Sequence, residues 1–197
     1  MTPSASPPLS AFPRKSAFTI ATHWLSAFAI LLAYGLVWTR EVLDDETLRS
    51  LVLTMHRQMG MAVLILLVLR LQGRIFAVTG TSEPGQGSRW QTWMATASHI
   101  ALYGLLLAMP VLGWALTNAQ GHEVTVFQIF RLPLLLATDP DLADDLQDWH
   151  ELLSWCLLGL VVLHFSAALW HHFFRRDGVL ASMLPIVDRQ RFDRSVP

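Results

Sequence analysis

An all-α fold, an up-and-down bundle of four transmembrane helices, is what this chain predicts. Three observations carry the prediction. Of 197 residues, 53% are apolar and only 15% are charged, with a mean hydropathy of +0.41. The apolar residues gather into four stretches, each long enough to cross a bilayer as a helix. The charged residues fall mainly between those stretches, and their sign alternates from one connection to the next. A soluble domain has neither this composition nor this segregation. Eight Trp against two Tyr fits as well, because Trp favours the membrane interface.

The first sixteen residues, MTPSASPPLSAFPRKS, are rich in Pro and Ser and are expected to form a disordered cytoplasmic tail. Arg14 and Lys15 then precede an apolar run, as in a signal peptide. The run from Phe18 to Trp38 has the length of a full span, lacks a small-x-small cleavage site and contains His23, so it is read as the first span. The second is Leu51–Leu71, the third Trp93–Leu116 and the fourth Trp149–Phe174. Pro110 is expected to bend the third span, with Gly113 just after it. The four-span domain thus occupies 17–175, and 176–197 forms a second tail. Between spans three and four lies VTVFQIFRLPLLL, apolar but too short to cross, and read as an interfacial segment over one mouth of the bundle.

The flanking charges orient the bundle. Arg14 and Lys15 precede span one without an acid. Arg70, Arg74 and Arg89 follow span two against Glu83, and Arg175, Arg176, Arg189, Arg191 and Arg194 dominate the C-terminal tail. The other two connections are acidic. The first has Glu41, Asp44, Asp45 and Glu46 against Arg40 and Arg49. The second has Glu123, Asp139, Asp141, Asp144, Asp145 and Asp148 against Arg131. The positive-inside rule then places both termini in the cytoplasm.

Each span carries histidine, an expensive residue in lipid and one read there as functional. Histidines on facing helices also hold non-covalent haem. Depth follows from a helical rise of about 1.5 Å per residue. His150 stands at the outer end of span four, and His164 lies about 21 Å deeper on that rise. Fourteen steps of about 100° end about 40° short of four turns, so both rings share one face. His171 shares that face at the inner boundary; His172 does not. His56 matches the depth of His150. His23, about 25 Å in from Arg40, approaches the depth of His164. His99 falls between the levels of His164 and His171. The simplest pairing puts His56 and His150 on an outer haem and His23 and His164 on an inner one, with His99 replacing His23 as the alternative.

A lone histidine at a span end is more often an interfacial residue than a ligand, but four at two matched depths are hard to dismiss. A single zinc site does not fit, since the pairs are too far apart and no Cys or buried acid joins them. Covalent c-type haem is excluded: the single cysteine, Cys156, belongs to no C-x-x-C-H. Gly60, Gly104 and Gly113 suit either the approach of a flat macrocycle or ordinary helix packing. Arg57, beside His56, suits a haem propionate, an anionic reactant or simple snorkelling. Trp24, Trp149 and Trp170 read as belt or packing residues. His122, in a polar loop, and His172, off the shared face, are assigned no function.

These residues resemble a known family. T-H-W-L at Thr22–Leu25, M-H-R-Q-M-G at Met55–Gly60, S-H-I-A-L-Y at Ser98–Tyr103 and M-P-V-L-G-W at Met109–Trp114 occur in order. D-W-H-E at Asp148–Glu151, L-H-F-S-A-A-L-W-H-H-F at Leu163–Phe173 and a closing M-L-P follow. Each piece is weak alone; as an ordered set from about residue 17 to residue 185 they resemble the prokaryotic cytochrome b561 family. The resemblance implies two b-type haems on the pairs above, in the bacterial cytoplasmic (inner) membrane. It also implies a ubiquinone site on the cytoplasmic side, where His99 and His171 match polar positions near the ring and would supply protons. Some members resemble superoxide oxidases, passing an electron from superoxide through both haems to ubiquinone. The acidic outer loops depart from that pattern, since they repel an anion at long range and leave its steering to Arg57 or Arg131.

Three functions follow as expectations. The first is a di-haem oxidoreductase carrying electrons from a periplasmic donor, superoxide foremost, to quinone. The second is a cytochrome b subunit anchoring a hydrogenase or dehydrogenase and relaying its electrons to quinone, where acidic outer loops would meet a basic partner. The third is a haem-free transporter with a histidine proton relay, which gives no reason for paired rings on one face. Membrane lipid is the expected surroundings, and no nucleic-acid partner is expected.

Overall fold

The computed structural model describes residues 15–77, 89–175 and 179–184. Expectations for the N-terminal tail through Arg14, for Glu83 in the second connection, and for Arg176, Arg189, Arg191, Arg194 and the final Pro of M-L-P fall outside the described residues. Four long helices make up nearly all of the rest: α1 (Ala17–Val42), α2 (Glu46–Ala77), α3 (Arg89–Ala119) and α4 (Pro140–Trp170). All four are long and apolar enough to cross a membrane. Each exceeds the span read from the sequence, because its polar ends carry the helix past the apolar run.

Caps explain where the helices begin. The Ser16 hydroxyl accepts from Thr19 N at 3.1 Å and opens α1. Asp45 Oδ1 accepts from Leu48 N at 2.9 Å and opens α2 only three residues after α1 stops at Val42. Asp139 Oδ1 accepts from Leu142 N at 3.1 Å, with Pro140 in the first helical position of α4. α3 continues through Pro110 and ends before Gly121, whose φ of +80° suits a residue without Cβ. α4 passes directly into one π-helical turn, His171–Arg175, and a 3-10 turn follows at Ala181–Met183.

Consecutive helices run antiparallel. α1 packs chiefly on α2, α3 on α4, and α2 on α3. One end of the bundle therefore gathers both acidic connections and the other the basic ones. A small core of Ala29, Ile30, Val63, Leu67, Leu106 and Leu157 lies at mid-height. Most other large apolar side chains face outwards, among them Phe28, Leu31, Ile65, Ile100, Val162 and Phe165. In lipid that is the expected arrangement, since helices there gain nothing by hiding leucine from hydrocarbon. Hydroxyls within the spans bond backward to their own helix: Ser26 to Thr22 O at 2.7 Å, Thr117 to Gly113 O at 2.8 Å.

The apolar connection between α3 and α4 forms a small antiparallel hairpin, β1 (Thr125–Val126) with β2 (Phe130–Arg131). Its turn places Phe127 and Gln128 at φ of 47° and 60°, a left-handed pair that neither residue type favours. Gln58 of α2 holds it there. Its amide donates to Thr125 O at 2.8 Å and accepts from Phe127 N at 2.6 Å. Asn118, almost wholly buried, ties down the flanks, donating to His122 O and accepting from Leu135 N, each at 2.9 Å. The segment is thus fastened to α2 and α3 across the acidic end.

Candidate haem-binding and electron-transfer site

Two clusters of imidazoles stand at two heights in the bundle. Near the acidic end, His56 of α2 faces His150 of α4 with ring centres 6.2 Å apart. Near the basic end, His23 of α1 faces His164 of α4 at 6.3 Å. Two imidazoles bound to opposite sides of one metal ion have ring centres about 6 Å apart, from two metal–nitrogen bonds of about 2 Å and the half-width of each ring. Both pairs have that spacing. The core residues Ala29, Ile30, Val63, Leu67, Leu106 and Leu157 occupy the height between them.

The lower cluster has a third ring. His99 of α3 lies 5.6 Å from His164. Fourteen-residue spacing explains the arrangement. On α4 it separates His150 from His164; on α3 it separates Gly113 from His99; on α2 it separates His56 from Arg70. Each of these three helices therefore presents one residue to each cluster from a single face. At the upper level α3 offers Gly113, and a Cβ there would stand 3.3 Å from His150 Cε1. The absence of a side chain gives the His150 ring its place. Gly60 and Gly104 have no neighbour within 4 Å of a Cβ position, so they border open space rather than a packed helix.

Hydrogen bonds set the tautomers. His56 Nδ1 lies 2.9 Å from Ala33 O, and a carbonyl only accepts, so Nδ1 carries the proton and Nε2 keeps its lone pair for a metal. His99 Nδ1 is fixed likewise on Ala95 O at 2.6 Å. His23 differs, because Arg70 Nη2 donates to its Nδ1 at 3.3 Å. A ring that binds metal through Nε2 has its proton on Nδ1, where a guanidinium cannot donate. Arg70 must therefore release His23 if that ring becomes a ligand, with the face of Tyr103, 5.4 Å from the guanidinium carbon, still beneath it.

The donor set suits haem. Among the described residues no cluster of His, Cys, Asp and Glu could hold a bare metal ion. At the acidic end, buried Arg40 Nε, Trp114 Nε1 and His150 Nδ1 have no acceptor among the described residues. A porphyrin brings carboxylates of its own to donors of this kind.

The remaining predicted residues are more scattered. Arg57, one position after His56, donates to Gln120 Oε1 at 3.4 Å. Arg131 is tied to Glu123 at 3.1 Å on the exposed hairpin. His99 lines a cavity of about 260 Å³ near the basic end together with Leu71, Arg74, Thr96, Ile100 and Tyr103. His171 begins the π turn and is not part of that lining. His122 sits in the turn after α3, its backbone N donating to Thr117 O. Sequence reasoning used Arg70 only as an orienting charge and did not single out Gln58. The signal for Arg70 was its distance from His56, the same as that between the two α4 histidines.

A family model for prokaryotic cytochrome b561 matches residues 14–185. The chain belongs to the prokaryotic cytochrome b561 family. It is 31% identical over 173 residues to cytochrome b561 homolog 2 of Escherichia coli (strain K12), covering 87% of this chain and 91% of that one. It is 27% identical over 170 residues to the probable superoxide oxidase CybB of Yersinia pestis, covering 86% and 95%. It is also 27% identical over 178 residues to cytochrome b561 homolog 1 of E. coli, covering 87% and 97%. Like other cytochromes b561, the chain is a multi-pass membrane electron-transfer protein, and membership implies b-type haem.

Proposed function

We propose that this cytochrome b561 carries electrons from superoxide at its acidic, periplasmic end to ubiquinone at its basic, cytoplasmic end of the bacterial inner membrane, through two b haems. The observation that carries the reading is the pair of imidazole clusters at two heights, with centres 6.2 and 6.3 Å apart. His56 and His150 would hold the upper haem, and His23 and His164 the lower. His23 matches the upper pair in spacing, whereas His99 matches His56 in tautomer, so His99 remains the alternative partner of His164. When bound, the haems supply single-electron acceptors in series.

The protein's residues provide access and protons. Arg131 is compensated by Glu123, so short-range attraction of an anion rests on Arg57 and its neighbour Arg40. At the other end, the cavity beside His99 would take a quinone ring, with Arg74 as a donor to one of its oxygens and His99 able to donate from Nε2 when that nitrogen is protonated. Two superoxide anions give up two electrons and depart as dioxygen; one quinone takes up two electrons and two protons. His99 and His171 are suited to pass those protons from the cytoplasmic side, because each ring has two nitrogens that can hold or release a proton. The name of the Yersinia pestis relative supports the donor. Stopped-flow mixing of the oxidised, haem-replete protein with superoxide tests it: the expected result is rapid haem reduction, followed by reoxidation when ubiquinone is present. No reduction would refute superoxide as donor.

A further inference from the structure

The face of α2 that carries His56 presents Arg70 fourteen residues further on, at the height where α4 presents His164. Arg70 Nη2 is 3.3 Å from His23 Nδ1. Its guanidinium carbon sits 5.4 Å from the centre of the Tyr103 ring. Among the described residues no carboxylate forms an ion pair with it. A cation at this position, within a span and without a protein counter-charge, is costly in lipid and calls for a function. At the upper pair Arg57 follows His56, but among the described residues no arginine donates to either ring: Arg57 donates to Gln120 Oε1, His56 Nδ1 rests on the neutral carbonyl of Ala33, and Gly113 packs against His150.

We infer that Arg70 is a positioning residue for the electron, its positive charge, held over the Tyr103 ring, raising the electron affinity of the lower haem. The inference rests on the two-haem reading and biases that wire toward its lower end. A ferric porphyrin carries one more positive charge than a ferrous one. Moving one electron from the upper to the lower site therefore removes one unit of positive charge beside Arg70 and creates one at the upper site, with no atom transferred. Repulsion by the guanidinium favours that move, and the charges of Arg57 and Arg40 at the upper site act against it. A propionate drawn to Arg70 would change the size of the effect and not its sign, because loss of the arginine would leave the propionate's negative charge uncompensated.

The test is a spectroscopic redox titration of the purified full-length holoprotein and of its Arg70→Gln and Arg70→Lys variants. Haem content is measured for each, and the lower haem is identified from the His150→Ala protein. In Arg70→Gln the lower haem should hold its electron roughly tenfold less tightly or worse, as expected for losing one charge several ångströms away in a medium of intermediate dielectric. The upper midpoint should stay in place, and Arg70→Lys should restore most of the loss. An unmoved lower midpoint, equal shifts of both haems, or a lysine variant indistinguishable from glutamine would each overturn the role. Loss of the lower haem from both variants would make Arg70 a retention residue and would also overturn it. Fewer than two b haems in the unaltered protein would defeat the two-haem reading itself, before Arg70 was touched.

Discussion

His150 is held by less than the histidine it faces. Its Nδ1 is buried without an acceptor among the described residues, and Gly113 packs directly against its ring. Gly113→Ala would bring a methyl group to 3.3 Å from His150 Cε1, closer than ordinary contact. The ring or the helix must then shift, at a cost of about 1–3 kcal/mol for overpacking. The expected outcome is an altered upper-haem electron paramagnetic resonance signal beside an unaltered lower one; identical spectra would show that the ring has room to move. His150→Ala should reduce haem from two per chain to one by pyridine haemochrome assay, while His122→Ala should leave both. The same assay on His23→Ala and His99→Ala separates the two candidates for the fourth ligand: the true ligand loses the lower haem and the other retains it. The sequence revealed the histidines that pair by height, since the rise per residue is fixed. His99, read as lying between the levels of His164 and His171, has its ring 5.6 Å from that of His164. Counting from Gly113, whose height is that of His150, brings His99 level with His164.

At the scale of elements, Gln58 links the hairpin over the acidic end to the helix that carries His56. It makes two hydrogen bonds to a turn whose central residues, Phe127 and Gln128, are both left-handed. Gln58→Ala would leave the exposed Phe127 N–H to water in place of that acceptor, a net loss of about 0.5–1.5 kcal/mol. Amide hydrogen exchange over residues 125–131 should quicken, with the helices unaffected. Unchanged exchange would mean that Asn118 and the strand pairing hold the loop by themselves. The helices were legible in the sequence as apolar runs; the caps that start three of them, Ser16, Asp45 and Asp139, lie in the polar flanks and were not singled out. The hairpin was not, because no Asn-Gly or Asp-Gly marks its turn. Its shape depends on a side chain almost seventy positions earlier in the chain, and local reading has no access to such a contact. The π turn at His171 likewise lacks a local signal that distinguishes it from the end of α4.

At the scale of the whole molecule, the alternation of acidic and basic connections was the most legible feature, since four antiparallel helices leave only two ends for the charges to occupy. It has a consequence for an anionic donor. Glu41, Asp44, Asp45, Glu46, Glu123, Asp139, Asp141, Asp144, Asp145 and Asp148 outnumber Arg40, Arg49, Arg57 and Arg131 at the acidic end. Two of those arginines already face partners, Arg49 beside Glu46 at 3.7 Å and Arg131 beside Glu123 at 3.1 Å. The long-range field of that end therefore repels an anion such as the proposed superoxide donor, and attraction would come at short range, from Arg57 and Arg40. Salt acts differently on the two. A Debye length of about 30 Å at 0.01 M contracts to about 8 Å at physiological ionic strength, which screens the distant carboxylates more than the nearby guanidiniums. The rate of haem reduction by superoxide should thus rise as salt is added over that range, opposite to a site that steers anions through a basic surface. Arg57→Gln should slow the reaction at every salt concentration and leave the upward trend in place. A rate that falls with salt in the unaltered protein would show that the arginines govern the approach from afar and that the acidic loops lie off the path.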